Sequence, residues 1–270
     1  LIVGIILYGA GLNFGKLLGH GPQILATVVL TMTVGFFAIY FLARAFKLPP
    51  RLSILLSVGT TICGGSAIAV TSPVIQAREE ETSYAVTTIA LWGLVAILAY
   101  PALARLLGVS DQGFGVFAGT AIHSTPQVVG AGFIFSEAAG KLATAVKLFR
   151  NCFMAPLAFA IAIWFTRKQR AEQGADGKKI DAARAFPWFL FGFFVMAALG
   201  TKGFFSPTGQ AYFKSWAGFL ILTGMAGIGM NTKLNAFKGI GIKPFAVGLI
   251  GALIVAGCSI LLIWGFGLNG

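Results

Sequence analysis

The sequence predicts an all-α, multi-pass membrane protein in which two of the helices are broken at mid-span. Three observations carry this. Hydrophobic residues make up 57% of the chain and charged residues 10%, against about 25% charged in a soluble domain. The apolar residues fall into nine runs of spanning length, where a spanning helix needs roughly 20 residues. Two of these runs contain residues that do not sustain a helix, one around Gly64-Gly65 and one at Gly229-Met230-Asn231-Thr232.

The first break lies in Val58-Gly-Thr-Thr-Ile-Cys-Gly-Gly-Ser-Ala-Ile-Ala-Val-Thr-Ser-Pro73. Adjacent glycines carry a large backbone entropy cost in a helix, and Thr60, Thr61 and Ser66 offer the backbone competing hydrogen bonds. Unwound backbone survives in a bilayer only where protein or a water-filled cavity covers it. The alternative is that Gly64-Gly65 merely lets a neighbouring helix pack closely.

In order, the first span is 1–18, with Leu1 already inside an apolar run, so residues before it are expected. Gly19-His20-Gly21-Pro22 is a turn. The second span, 23–45, is stopped by Lys47-Leu-Pro-Pro-Arg51, because paired prolines cannot continue a helix. The third, 52–77, carries the first break, and Arg78-Glu-Glu-Glu81 is an exposed turn. The fourth is 82–107. The fifth, 111–135, is disturbed in its middle by Thr125-Pro126, and the sixth is 138–165. The loop 166–184 is polar and expected to be solvated. The seventh, eighth and ninth spans are 186–204, 211–239 and 244–268, the eighth holding the second break.

The net charge of +12 sits mostly in the loops, where it sets orientation rather than marking a nucleic-acid partner. With loop 166–184 in the cytoplasm, alternation of spans puts Arg44, Lys47, Arg51 and Arg105 inside and Glu79–Glu81 outside, as the positive-inside rule asks. Lys202 and Lys214 run against it. Cys63, Cys152 and Cys258 are far apart, in apolar runs, with no metal or disulfide spacing.

Two broken spans of opposite direction point to an inverted-repeat transporter fold. Residues 1–110 would be the first repeat, lacking its N-terminal span, and 111–270 the second. Polar residues inside the spans mark the expected site. His123, Ser124, Thr125 and Gln127 cluster within about one turn, and an intramembrane ionisable residue is a functional candidate by default. The alternative for His123 is a neutral ring bonded to a neighbouring carbonyl. Lys147 and Arg150, three apart, share a helix face. They either snorkel to the interface, form an electropositive patch for an anion, or stand in for a sodium ion. No Asp or Glu falls inside a span, which favours an anionic or neutral solute.

With these stretches together the chain resembles the YeiH-like putative sulfate exporter family of bacterial inner-membrane proteins. The carrying residues are Ile62-Cys-Gly-Gly-Ser-Ala-Ile-Ala69 with Pro73, Gly119-Thr-Ala-Ile-His123, Gln127-Val-Val-Gly-Ala-Gly132, Lys147-Leu-Phe-Arg150, Pro187-Trp-Phe, and Gly227-Ile-Gly-Met-Asn-Thr232 with Gly241-Ile-Lys-Pro244. The resemblance implies a fold similar to sodium/proton antiporters and bile-acid symporters. It also implies sulfate or a related sulfur oxyanion as substrate. The chain departs from the family pattern at Ser124-Thr125-Pro126, where an acidic residue after the histidine is expected.

The resulting expectation is a secondary transporter of a small anion, with no cofactor, no metal and no enzymatic role. Cys63, Gly64, Gly65 and Ser66 would meet Met230, Asn231 and Thr232 around the solute, with His123, Ser124 and Gln127 lining the same cavity and Lys147, Arg150 or His123 balancing charge or coupling. Proton or sodium coupling and a homodimer stay open. The alternatives are an anion channel, and a carrier of a neutral or cationic solute coupled to an ion.

Overall fold

The structure, a computed structural model, describes residues 2–11, 21–173, 189–230 and 241–269. Among these the regular structure is helical: α1 (Ile2–Tyr8), α2 (Pro22–Ala45), α3 (Pro50–Thr61), α4 (Gly65–Val74), α5 (Glu79–Leu106), α6 (Asp111–Ala121), α7 (Thr125–Phe135), α8 (Glu137–Cys152), α9 (Met154–Gln173), α10 (Phe189–Thr201), α11 (Pro207–Met230) and α12 (Lys243–Gly265). Four helical stretches among the described residues are long and apolar enough to cross a membrane. They are α2, α5, α12 and Glu137–Phe165, which runs α8 into α9.

The chain packs as two compact units, Leu1–His20 with Ala155–Thr232, and Gly21–Met154 with Lys233–Gly270. These are not the consecutive halves 1–110 and 111–270, which are expected as sequence repeats rather than as packing units. In the first unit α1 packs on α10 and α11, with Ile6 over Gly192. The second unit holds the broken helices.

Local chemistry sets the helix ends of the second unit. Pro22, Pro50 and Pro244 stand in first turns, where a missing N–H costs nothing. Glu79, Glu80 and Glu81 favour the positive end of α5, and the Glu81 carboxylate accepts from the Arg78 N–H at 2.9 Å. The Ser110 hydroxyl accepts from the Gly113 N–H at 3.0 Å to start α6, and Ser136 accepts from the Ala139 N–H at 3.0 Å to start α8.

The third and fifth apolar runs do not cross the membrane as interrupted rods; each doubles back as a helical hairpin. In the fifth run, Ser136 donates to the Asp111 carboxylate at 2.6 Å, and the Phe114 and Phe135 rings stack at 4.3 Å. The far ends of α6 and α7 therefore lie side by side. Gly115 and Gly119 face Leu142 and Val146, so α6 runs parallel to α8, whereas Gly132 faces Gly140, so α7 runs antiparallel to it. Each helix has 11 residues, about 16 Å, roughly half of the ≈ 30 Å hydrocarbon core.

The third run turns at Ile62-Cys63-Gly64. Gly64 has φ 71° and ψ −130°, a conformation closed to residues with a Cβ, and α4 folds back so that Ile68 sits over Gly59. Helix α12 fixes the faces. Its Gly251 and Val255 lie beside Ile39 and Gly35 of α2, antiparallel to it, and Thr61 of α3 also reaches Gly35. The end of α2, the start of α3 and the start of α12 thus share one face. At the other end of α12, Asn269 touches Gly113 at the start of α6. Helix α5 connects the two faces, with Thr88 and Trp92 over Gly248 near the first. At the second, Arg105 donates to the carbonyls of Ile134 and Phe135. One hairpin enters from each face.

This corrects the alternation of charges expected from continuous spans. Glu79–Glu81 emerge on the same face as Arg44, Lys47 and Arg51, and Arg105 emerges on the opposite one. A hydropathy pattern cannot separate one crossing from two half-crossings of the same total length.

Hairpin topology is checked by labelling. Single cysteines replacing Ala45 and Glu80 are expected to react with a membrane-impermeant maleimide from the same side of oriented vesicles, and Leu107→Cys from the other. Labelling of Ala45→Cys and Glu80→Cys from opposite sides would mean that α3 and α4 cross as one broken rod.

Candidate functional site

The two hairpin tips meet inside the second unit. A Cβ built on Gly64 would stand 3.3 Å from the Ser124 Cβ, so Ile62–Gly64 lies against Ile122–Ser124. Each tip holds one helix C-terminus and one helix N-terminus. The carbonyls that end α3 and α6 have no intrahelical partner and carry partial negative charge.

Two cations from α8 take up those carbonyls. Lys147 is 0% and Arg150 1% exposed, so neither snorkels. Lys147 Nζ donates to Ile62 O at 2.7 Å, to Ile122 O at 2.9 Å and to His123 O. Arg150 Nε donates to Thr61 O at 2.5 Å, Nη2 to Thr60 O at 2.6 Å and Nη1 to Thr120 O at 2.6 Å. Nη1 also reaches Ile122 O at 3.2 Å. All three ammonium donors and most of the guanidinium fork are spent on backbone from both hairpins. Lys147 and Arg150 therefore hold the tips together, and their charge reaches the crossing as a field. Close packing lets α8 come near enough: Gly119 sits under Val146, and Gly132 against Gly140.

The remaining polar groups are arranged around this clasp. Ser66 Oγ donates to Cys63 Sγ at 2.8 Å, and the Cys63 thiol lies 3.5 Å from Met154 Sδ. Gly65 is the first residue of α4. Gln127 Oε1 accepts from the Ser124 N–H at 3.1 Å, which closes the start of α7. Asn151 Nδ2 donates to Thr125 Oγ1 at 3.2 Å, and Thr120 shares a 2.6 Å hydrogen bond with Ser259 of α12. His123 is fully buried. Both of its ring nitrogens lack a hydrogen-bond partner among the described residues, as do Thr60 Oγ1 and Asn151 Oδ1.

The structure thus brings Cys63, Gly64, His123, Ser124, Lys147 and Arg150 to one crossing, with Gly65, Ser66 and Gln127 in the first turns of α4 and α7. The partner of the Cys63–Gly64 turn is Ile122–Ser124. Helix α11 continues through Gly227, Gly229 and Met230. Asn231, Thr232 and the Met230 side chain, expected as the other half of the site, lie outside the described residues. Sequence reasoning left Asn151, Thr60 and most of the accepting carbonyls out of the site. Asn151 had a signal in its place beside Arg150, and the Ile122 carbonyl had one in Pro126, which lacks the N–H that would take it up one turn on; the other carbonyls had none.

The fold and the crossing define a multi-pass membrane protein with two membrane-embedded hairpins. Residues 1–248 match the family described as Conserved hypothetical protein 698, and the chain belongs to that family. It is similar to the UPF0324 membrane protein of Oceanobacillus iheyensis, 36% identical over 269 residues that cover 100% of this chain and 78% of the relative. It is also similar to the UPF0324 membrane protein of Bacillus cereus, 33% identical over 264 residues, covering 98% of this chain and 76% of the relative. No solved structure matches the chain.

Replacing Arg150 tests the clasp. Arg150→Leu leaves the carbonyls of Thr60, Thr61 and Thr120 buried without this donor. At about 1–3 kcal/mol for each unsatisfied group, a loss of roughly 3 kcal/mol or more is expected. It would be read by denaturant unfolding in detergent. A loss under about 1 kcal/mol would show that the carbonyls find other partners.

Proposed function

We propose that the protein is a secondary transporter that carries a small anion through the crossing of the two hairpin tips. The observation that carries this reading is the charge of the crossing. Two cations are buried there, and no carboxylate is hydrogen-bonded to either among the described residues. The helix ends do not cancel them. Each tip presents one C-terminus and one N-terminus, whose partial charges of roughly half a unit offset each other. A net positive charge at mid-membrane is costly, and a bound anion would relieve it. The N-termini of α4 and α7 add backbone N–H groups suited to an anion.

The same charge argues against a cationic solute. Hairpins entering from opposite faces are what two inverted copies of one unit would produce, which supports an inverted-repeat design with alternating access. Sulfate or a related sulfur oxyanion fits a site of this sign and is the first substrate to try. An anion channel would use the same electropositive elements without a closed crossing.

The test is uptake of labelled sulfate, sulfite and taurine-like anions into liposomes holding the purified protein, with and without a pH gradient. Anion uptake that trans-anion accelerates is expected. No uptake under any gradient would remove the reading, and uptake without trans-acceleration would favour a channel.

His123 gives a second test. Its ring makes no hydrogen bond among the described residues, so replacing it with an apolar side chain removes unpaired buried polar atoms at little or no cost to the fold. His123→Leu is expected to keep or raise the melting temperature while lowering uptake by about tenfold, the worth of roughly 1.4 kcal/mol in binding. A variant that melts early and still transports normally would make His123 structural.

A further inference from the structure

The Lys147 ammonium sits in an unusual coordination. Its three acceptors, Ile62 O, Ile122 O and His123 O, are all main-chain carbonyls of unwound turns, two from one hairpin tip and one from the other. The residue itself is fully buried. Converging carbonyls of unwound backbone are what membrane transporters and channels use to replace the hydration shell of an alkali ion. An ammonium has three donors and no acceptor, so it fills such a tripod as a cation would.

We propose that the turn carbonyls of the two hairpins form a monovalent-cation site that the chain fills with its own Lys147 ammonium, and that removing this side chain opens the site to a free alkali or ammonium ion. It goes beyond the transport reading and does not rest on the solute being an anion. The consequence for the natural protein is that joining the tips needs no bound sodium or potassium. The cation is supplied covalently from α8, and it cannot be exchanged or carried across. These three carbonyls then offer no place for a coupling alkali ion.

The experiment is thermal unfolding of the purified full chain in detergent, in sodium, potassium, ammonium or choline chloride at constant ionic strength. Choline is the control, too large for the tripod. The wild type is expected to melt within about 1 °C in all four salts. Lys147→Ala is expected to melt lower in choline and to gain on the order of 5 °C, saturably, with at least one small cation, as a ligand bound only by the folded state does. Saturable stabilisation of the wild type by sodium or potassium would overturn the proposal. So would a folded Lys147→Ala whose melting is the same in all four salts. If Lys147→Ala yields no folded protein in any salt, Lys147→Arg decides. Its planar fork keeps the charge but not the three-donor geometry, so it is expected to melt on the order of 5 °C below wild type. Equal melting of Lys147→Arg and wild type would overturn the proposal. These outcomes are read without any transport assay, so a failure here is distinct from a failure to find anion uptake.

Discussion

A helix that stops inside a bilayer leaves its last carbonyls with neither water nor a following turn to satisfy them. The second unit of this protein contains two such ends, at Thr61 and Ala121, and both are brought to the same place. Lys147 and Arg150 donate to them from one face of α8. Without those donors neither hairpin could turn at mid-depth, and the tips would have no reason to meet. The rest of the unit follows from that requirement. Helix α8 must pass directly beside α6 and α7, so small residues line the contacts at Gly115, Gly119, Gly132 and Gly140. Helix α5 must connect the two faces, because each hairpin returns the chain to the face it left.

Cations rather than water at these ends give the crossing its chemical character. Water would satisfy the carbonyls and leave the site neutral. Two basic side chains satisfy the same carbonyls and leave the site positive. Their donors point at backbone, so they hold the two tips. His123, Thr60 and Asn151 each keep a buried polar atom with no hydrogen-bond partner among the described residues.

The arrangement also separates two roles that Lys147 and Arg150 could have filled. As balancing charges that come and go, they would need freedom to move. Arg150 instead makes hydrogen bonds to α3 and α6 at once, and Lys147 to both turns. Moving either would break contacts in both hairpins together. Whatever motion accompanies function, the two tips are built to act as one body.

Much of the fold was legible in the sequence. The membrane class, the positions of the long helices and the weak point at Gly64 follow from apolar run lengths and from glycine's backbone freedom, which are local properties. The polar cluster at His123 and the pair Lys147 and Arg150 were visible because charge and imidazole are rare at that depth. Whether a weak point bends a rod or reverses it depends on what waits on the other side of the turn, and that is not local. Twenty-odd apolar residues read the same whether they cross once or enter and return. Only the tertiary structure decided that the runs at 50–74 and 111–135 are hairpins, that they come from opposite faces, and that the Cys63–Gly64 turn meets Ile122–Ser124. Those outcomes depend on the carbonyls of the first turn finding donors some 85–90 residues away and those of the second some 25–30 residues away. Apart from Ile122, one turn before Pro126, these carbonyls leave no mark in the sequence.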